Sequence, residues 1–137
     1  MRLVRDIMEP DVLWIPSDMP LERVAHALAS RQVSGAPVCA PDGRLIGMVS
    51  TTDLAELYGS ALELRVARDV MTPEVLAVGP DDPIEAAIKL MAFEGVHRVV
   101  VVDVQCHLHG IVTSMDVLRE LAGFPRPPPR ILAVAPP

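Results

Sequence analysis

Aromatic residues are scarce in this chain: one Trp, one Tyr and two Phe among 137 residues, although half of the residues are hydrophobic. The core must therefore be aliphatic, built from Val, Leu, Ile, Ala and Met. Positive charge is also short, with 12 Lys and Arg against 18 Asp and Glu and a net charge of −6. Tracking a nucleic-acid backbone requires a basic face, so that partner class is set aside, while a small phosphate held by a local cluster is not. No apolar run approaches the roughly 20 residues needed to cross a bilayer. The longest, Val99 to Val102, is strand-length, and no membrane partner is expected. Met1-Arg2 leads almost directly into the first structural unit, and no signal peptide is expected. Only two cysteines occur, Cys39 and Cys106, at positions that do not correspond to one another. They suggest no disulfide framework, and the expected compartment is the cytoplasm. A Gly-rich phosphate loop, a nucleophile elbow and a paired-acid arrangement are all missing, so no enzymatic turnover is expected.

What the chain does have is itself, twice. Arg5-Asp6-Ile7-Met8-Glu9-Pro10 recurs as Arg68-Asp69-Val70-Met71-Thr72-Pro73, 63 residues on. The offset holds without a gap for about fifty positions, of which about sixteen are identical. It carries Val12-Leu13 onto Val75-Leu76, Asp18 onto Asp81, Pro20 onto Pro83, and Gly47-Met48-Val49-Ser50 onto Gly110-Ile111-Val112-Thr113. One copy of some 55 residues buries too little surface to be comfortably stable alone. The copies are expected to pack on each other about a pseudo-twofold axis, with a cleft between them and two related sites. The expected division is 1–60 for the first repeat and 61–123 for the second. A Pro-rich tail over 124–137 reads as extended or disordered and passive, with a recognition motif for a proline-binding domain as its alternative.

Each copy reads strand, helix, strand, strand, helix: an α+β arrangement of two βαββα units. In the first, Val12-Leu13-Trp14-Ile15 is extended, and Ser17-Asp18-Met19-Pro20 opens a helix with Pro in its first turn. Asp82-Pro83 offers the second helix a better cap. Leu21, Val24, Ala25 and Leu28 form a stripe at helical spacing, as do Ile84, Ala87, Ile88 and Met91. Strands follow at Ala36 to Cys39 and Arg98 to Val102, then at Leu45 to Ser50 and Leu108 to Thr113. Pro41-Asp42-Gly43 marks a turn, whereas its counterpart Val104-Gln105-Cys106 lacks Gly and Pro and reads as looser. Helices close the units at Thr51 to Leu57 and Ser114 to Leu121, and Ala61 to Leu64 could add a helical turn between the copies.

Two heptads carry the chemistry: Gly47-Met48-Val49-Ser50-Thr51-Thr52-Asp53 and Gly110-Ile111-Val112-Thr113-Ser114-Met115-Asp116. A hydroxyl residue followed three positions later by an acid resembles a capping box. The same geometry can bind a ligand. A helix N-terminus attracts an anion, a hydroxyl donates to phosphate, and an Asp one turn in accepts from a vicinal diol. Either motif alone reads as a cap; twice, in equivalent units, the pair is far more specific for a ligand.

On these residues the chain resembles a pair of cystathionine-β-synthase-type (CBS) domains, the tandem regulatory unit called a Bateman module. The resemblance covers roughly residues 3 to 122. It rests on Asp-x-Met-x-Pro at Asp6 and Asp69, Asp-x-Pro at Asp18 and Asp81, both heptads, and the segments Val33 to Val38 and Val96 to Val101. It implies two small three-stranded sheets flanked by helices, and clefts that hold AMP, ADP, ATP or S-adenosylmethionine as a regulatory ligand, with no cofactor required. It places one ligand site at Ser50 and Asp53 with His97 and Arg98 of the other repeat, and Met48 and Leu76 around the adenine. Arg98 supplies a fixed planar cation, and His97 would add charge only near or below its pKa. The related site would use Thr113 and Asp116 with Ile111 and Leu13. Its partner segment Ser34-Gly35 brings no cation, so this second site is expected to be the weaker, or to prefer an uncharged adenosine. The resemblance also implies a homodimer formed through helices and an unknown effector protein. A ligand-free scaffold is the alternative.

Cys106, His107 and His109 invite a metal reading. On a strand the two histidines share a face and Cys106 opposes them, and no second cluster supplies the four ligands of zinc; no metal is expected. Trp14, opposite Ala77 in the repeat register, is read as a packing residue that could cover an interface between chains.

Overall fold

The computed structural model describes residues 2–60 and 62–124; the Pro-rich segment from Pro125 onward lies outside them. Thirteen elements follow one another: α1 Val4–Ile7, β1 Ile15–Pro16, α2 Leu21–Arg31, β2 Gly35–Cys39, β3 Leu45–Ser50, α3 Thr51–Ala55, a 3-10 turn Leu62–Leu64, α4 Ala67–Val70, β4 Ala77–Val78, α5 Ile84–Glu94, β5 Arg98–Val102, β6 Leu108–Thr113 and α6 Ser114–Ala122. They form two three-stranded sheets, β1-β2-β3 and β4-β5-β6. In each, the first pair is parallel and the second antiparallel, with matching registers: Gly35 faces Ser50 as Arg98 faces Thr113, and Pro37 faces Met48 as Val100 faces Ile111. The duplicated sequence has produced a duplicated mixed sheet.

The first strand is shorter than expected. Val12, Leu13 and Trp14 belong to no strand, and pairing begins only at Ile15, which meets Val38. Leu13 instead packs its side chain onto the core of the first repeat. Pro20 and Pro83 prove to be the residues preceding α2 and α5 rather than members of their first turns, and neither helix has a side-chain cap. Asp82 is turned away from α5: its carboxylate accepts the Gly79 N–H at 2.7 Å. The β5–β6 turn is as well formed as its twin. Asp103 N–H and Cys106 N–H repeat the bonds of Ala40 and Gly43, and Cys106 adopts the left-handed φ of 66° where Gly43 has 90°. The Asp103 carboxylate, which accepts from the Gln105 and His107 N–H groups and contacts His109 at 2.9 Å, replaces what Gly and Pro would supply. The His109 contact, then the backbone donors, hold that carboxyl below its usual range.

Three apolar clusters hold the fold. One fills the first repeat around Ile15, Leu21, Val24, Leu28, Val38 and Val49, all essentially fully buried. A second fills the second repeat around Val99, Val101 and Val112. A third, Cys39, Leu45 and Val100, joins the two sheets, with Met48, Val75, Ala77 and Leu108 packed on it. Burial pushes the Cys39 thiol upward, with the Cys106 thiol adding to it, which fits a packing role.

The repeats trade their short leading helices. Val4 and Ile7 of α1 belong to the cluster of the second repeat, and Ala67 of α4 to that of the first. The Val4 and Arg5 N–H groups bond to the Asp82 and Pro80 carbonyls at 2.8 and 3.0 Å, and those of Ala67 and Arg68 to Met19 and Ser17 at 2.9 and 3.0 Å. Asp6 and Asp69 close these helices by accepting the Leu3 and Val66 N–H groups at 2.8 and 2.9 Å. Their recurrence in the sequence thus has a local structural cause.

Candidate functional site

β3 and β6 run toward the helices α3 and α6 that begin at their ends. Because successive strand residues face opposite sides, Met48 and Ser50 share the cleft side of β3, and Ile111 and Thr113 share that of β6. Arg98 lies directly across from Thr113 and shares that side. The chain after α4 crosses β3: Met48 and Thr72 exchange backbone hydrogen bonds of 2.9 and 2.8 Å. That crossing is tight. A Cβ on Gly47 would lie 2.6 Å from Met71 Sδ and 2.8 Å from the Thr72 carbonyl oxygen. On the other half, Glu9 and Ile111 exchange bonds of 2.8 and 3.0 Å over Gly110, whose Cβ would lie 2.6 Å from the Glu9 carbonyl oxygen. The glycine opening each heptad is there for close backbone approach.

Beyond the crossing the chain delivers Glu74, Val75 and Leu76 to a cleft of about 190 Å³ between the halves. Met48 of the first repeat and Arg98, Val99, Val100 and Ile111 of the second complete it. Three of the six residues expected at the first site, Met48, Leu76 and Arg98, are therefore together. Ile111, expected at the second site, joins them.

Ser50 and Asp53 stand at the end of the strand that presents Met48, and both cap α3. Asp53 N–H donates to Ser50 Oγ at 3.2 Å, and Ser50 N–H donates to Asp53 Oδ2 at 2.9 Å. The other carboxylate oxygen, Asp53 Oδ1, has no partner among the described residues. Thr113 and Asp116 repeat the box at 3.2 and 2.8 Å, with an added hydroxyl bond of 3.0 Å from Thr113 to Asp116 Oδ2. Here the second oxygen is engaged as well: Asp116 Oδ1 lies 3.6 Å from the Arg119 guanidinium, and the side chain is only 9% exposed. Repeat 1 has Glu56 at the position of Arg119, so no such pair can form there. The two heptads match in sequence and differ in what they leave open.

His97 does not accompany Arg98. It lies one strand position earlier and lines a groove of its own repeat between α5 and α6, with Ile88, Met91 and Val117. Its carbonyl accepts the Ser114 N–H at 2.9 Å, as Ser34 accepts the Thr51 N–H at 2.8 Å. Ser34 and His97 thus share a structural duty at equivalent positions. Gly35, Ser34 and Leu13 do not line the described cleft, and Gly35 lies against the Val49 carbonyl, 3.0 Å from where its Cβ would be. Glu74, Val75, Val99 and Val100 also line the cleft and were not expected there; of these Glu74 alone is charged. A signal was present, since the repeat register sets Asp11 opposite Glu74, an acid in both copies.

Among the described residues no group of three or more His, Cys, Asp or Glu could hold a metal ion. None of the described helices is long and apolar enough to cross a membrane.

Comparison with known proteins agrees with this architecture. The CBS-domain profile matches residues 4–60 and 67–123. An uncharacterized protein of Methanocaldococcus jannaschii, MJ1426, is 30% identical over 154 residues, covering 87% of this chain and 90% of that protein. The chain spans only 24% of a homoserine O-acetyltransferase of Methanohalobium evestigatum, to which it is 28% identical, and 40% of the M. jannaschii protein MJ1232. Among solved structures, CBSX2 in complex with AMP is 28% identical, with a TM-score of 0.78 over 90% of this chain and 98% of that one. The CBS domain pair of protein MJ0100, in complex with 5′-methylthioadenosine and S-adenosyl-L-methionine, is 25% identical with a TM-score of 0.74 over the same shares. With both copies matched by the profile and the paired sheets reproduced in these structures, the chain belongs to the CBS-domain family and is a tandem CBS pair.

Proposed function

We propose that this CBS pair is a regulatory protein that binds an adenosine-containing ligand (AMP, ADP, ATP or S-adenosylmethionine) in the cleft between its repeats and signals its occupancy to a partner chain. One observation carries the reading: Met48 from one half and Leu76, Arg98 and Ile111 from the other meet in a single cleft, beside a helix start where Asp53 keeps a carboxylate oxygen unused. The aliphatic residues suit the two faces of an adenine, Ser50 and Asp53 suit a ribose, and Arg98 suits an anionic group. The ligands of CBSX2 and of MJ0100 support the same class. The reading involves binding without turnover.

The volume bears on signalling. About 190 Å³ is below the roughly 300–1,000 Å³ usual for a ligand cleft. A nucleoside seated there is expected to favour a wider spacing of the halves, and a ligand that prefers that arrangement shifts the population toward it. The second heptad fits the other reading, of a helix cap alone, because both oxygens of Asp116 are spent inside the protein. Ligand binding is assigned to the Asp53 side.

Melting the protein with each adenosine compound tests this. A ligand at 100 times its Kd adds about 2.7 kcal/mol, a rise of roughly 10 °C for a chain of this size. Asp53→Asn is the informative variant. Its amide oxygen can keep the Ser50 N–H bond, while an NH2 replaces the free acceptor. The unliganded melting temperature is expected to stay within about 2 °C while the ligand response falls by most of its value. If no adenosine compound shifts the wild-type melt, the ligand reading fails.

Assembly is expected through α6, which leaves Met115, Leu118 and Leu121 on its surface at 51, 55 and 76% exposure, continued by Phe124. This is the helix face that a homodimer would cover. Leu118→Glu is expected to halve the mass measured by light scattering, whereas a monomeric wild type would dismiss the dimer.

A further inference from the structure

Of the residues lining the cleft, two are charged, and their charges are opposite: Arg98 and Glu74. Both are exposed, and neither forms an ion pair or a side-chain hydrogen bond among the described residues. With His97 in another groove, Arg98 faces the ligand as a single cation. Resting on the adenosine reading above, we infer that Glu74 sets the charge of the ligand: the cleft takes a nucleoside whose 5′ arm carries an amino-acid group, and disfavours polyphosphates.

The argument is one of charge balance. A triphosphate brings about four negative charges, or about two once Mg²⁺ is bound. It would meet one guanidinium, the Glu74 carboxylate and the nearby Asp53 carboxylate, on a chain of net charge −6. No lining lysine or second arginine is present to offset the repulsion. An aminoacyl arm is zwitterionic. Its carboxylate can pair with the planar fork of Arg98 and its ammonium with Glu74, so the charge that repels phosphate attracts this ligand. Discrimination then comes as much from what Glu74 rejects as from what Arg98 accepts. S-adenosylmethionine has this composition.

Calorimetric titration of the full chain with S-adenosylmethionine, AMP and Mg-ATP separates the outcomes. In the wild type, S-adenosylmethionine is expected to bind tightest, and the two anionic ligands, AMP and Mg-ATP, more weakly. Glu74→Gln is expected to weaken S-adenosylmethionine by at least about fivefold, the scale of one partly exposed ion pair, and to leave AMP unchanged or tighter. Because Glu74 is exposed, the variant keeps its fold. Tightest binding of Mg-ATP to the wild type, lost in Asp53→Asn, would retain the adenosine site and overturn this charge assignment. So would an equal change for all three ligands in Glu74→Gln. Binding of none of the three overturns both the site and the assignment.

Discussion

Gly47→Ala is expected to lower the melting temperature by roughly 3–10 °C, from a cost of about 1–3 kcal/mol for forcing a methyl group into filled space. Gly to Ala at an ordinary backbone conformation normally stabilises a protein by about 0.4–1 kcal/mol, through the unfolded chain. The sign reverses here because the added Cβ would stand 2.6 Å from Met71 Sδ and 2.8 Å from the Thr72 carbonyl oxygen. The sulfur can move, but the carbonyl is backbone and is held by its bond from Met48 N–H at 2.9 Å. Relief requires lifting the 71–76 segment off β3, and that segment delivers Leu76 and Glu74 to the cleft. Ligand affinity should therefore fall together with stability. Gly110→Ala should behave alike, because the Glu9 carbonyl oxygen lies 2.6 Å from its Cβ position. Gly79→Ala is the control: its nearest neighbour, the Asp82 carboxylate, is an ordinary 3.4 Å away. A wild-type melt for Gly47→Ala would show that the crossing is looser than these distances require.

Val4→Asp has the larger expected effect. Val4 is fully buried in the apolar cluster of the second repeat. A carboxylate there has no partner, and an uncompensated buried charge costs about 3–5 kcal/mol. That is a large share of the roughly 5–15 kcal/mol that stabilises a typical domain. The expected result is loss of a cooperative melt near physiological temperature. Amide exchange should accelerate first in α1, α5 and α6, which surround the site. Val4→Ala should cost less, about 1–3 kcal/mol, and keep the fold. If Val4→Asp melted like the wild type, α1 could not be docked on the second repeat.

The strands and helices that carry a clean period were readable from the residues alone. β2, β3, β5 and β6 fall where alternation or a β-branched run places them, and Leu21, Val24 and Leu28 do form the buried face of α2. The first strand misled because Val12 and Leu13 are as apolar as strand residues, but Leu13 spends that character on side-chain packing and pairing waits for Ile15. At the site, both heptads do lead into helix starts, and the family resemblance set Met48, Leu76 and Arg98 together, as the cleft has them. His97 beside Arg98 looked like a second cation. Alternation along a strand sends neighbours to opposite faces, and only the pairing of Arg98 with Thr113 shows which of the two faces the cleft. The difference between Asp53 and Asp116 was also hidden, since it depends on Arg119 reaching back one helical turn. Glu74 escaped because acids on loops are common. Its significance comes from the chain crossing that carries it inward.

The traded helices bear on how such a molecule can be built. Each half completes its interior with a few residues that belong, along the chain, to the other half. A polypeptide carrying a single copy would leave its own interior short of one helix and hold a spare helix that fits a twin. Two such polypeptides could lend those helices reciprocally and rebuild the same paired sheets without a covalent connection between them. Joining the copies in one chain replaces that bimolecular encounter with an internal one. It also lets the twins diverge, as they have here, with one oxygen of the Asp53 carboxylate left unpartnered among the described residues and its counterpart on Asp116 drawn to an arginine.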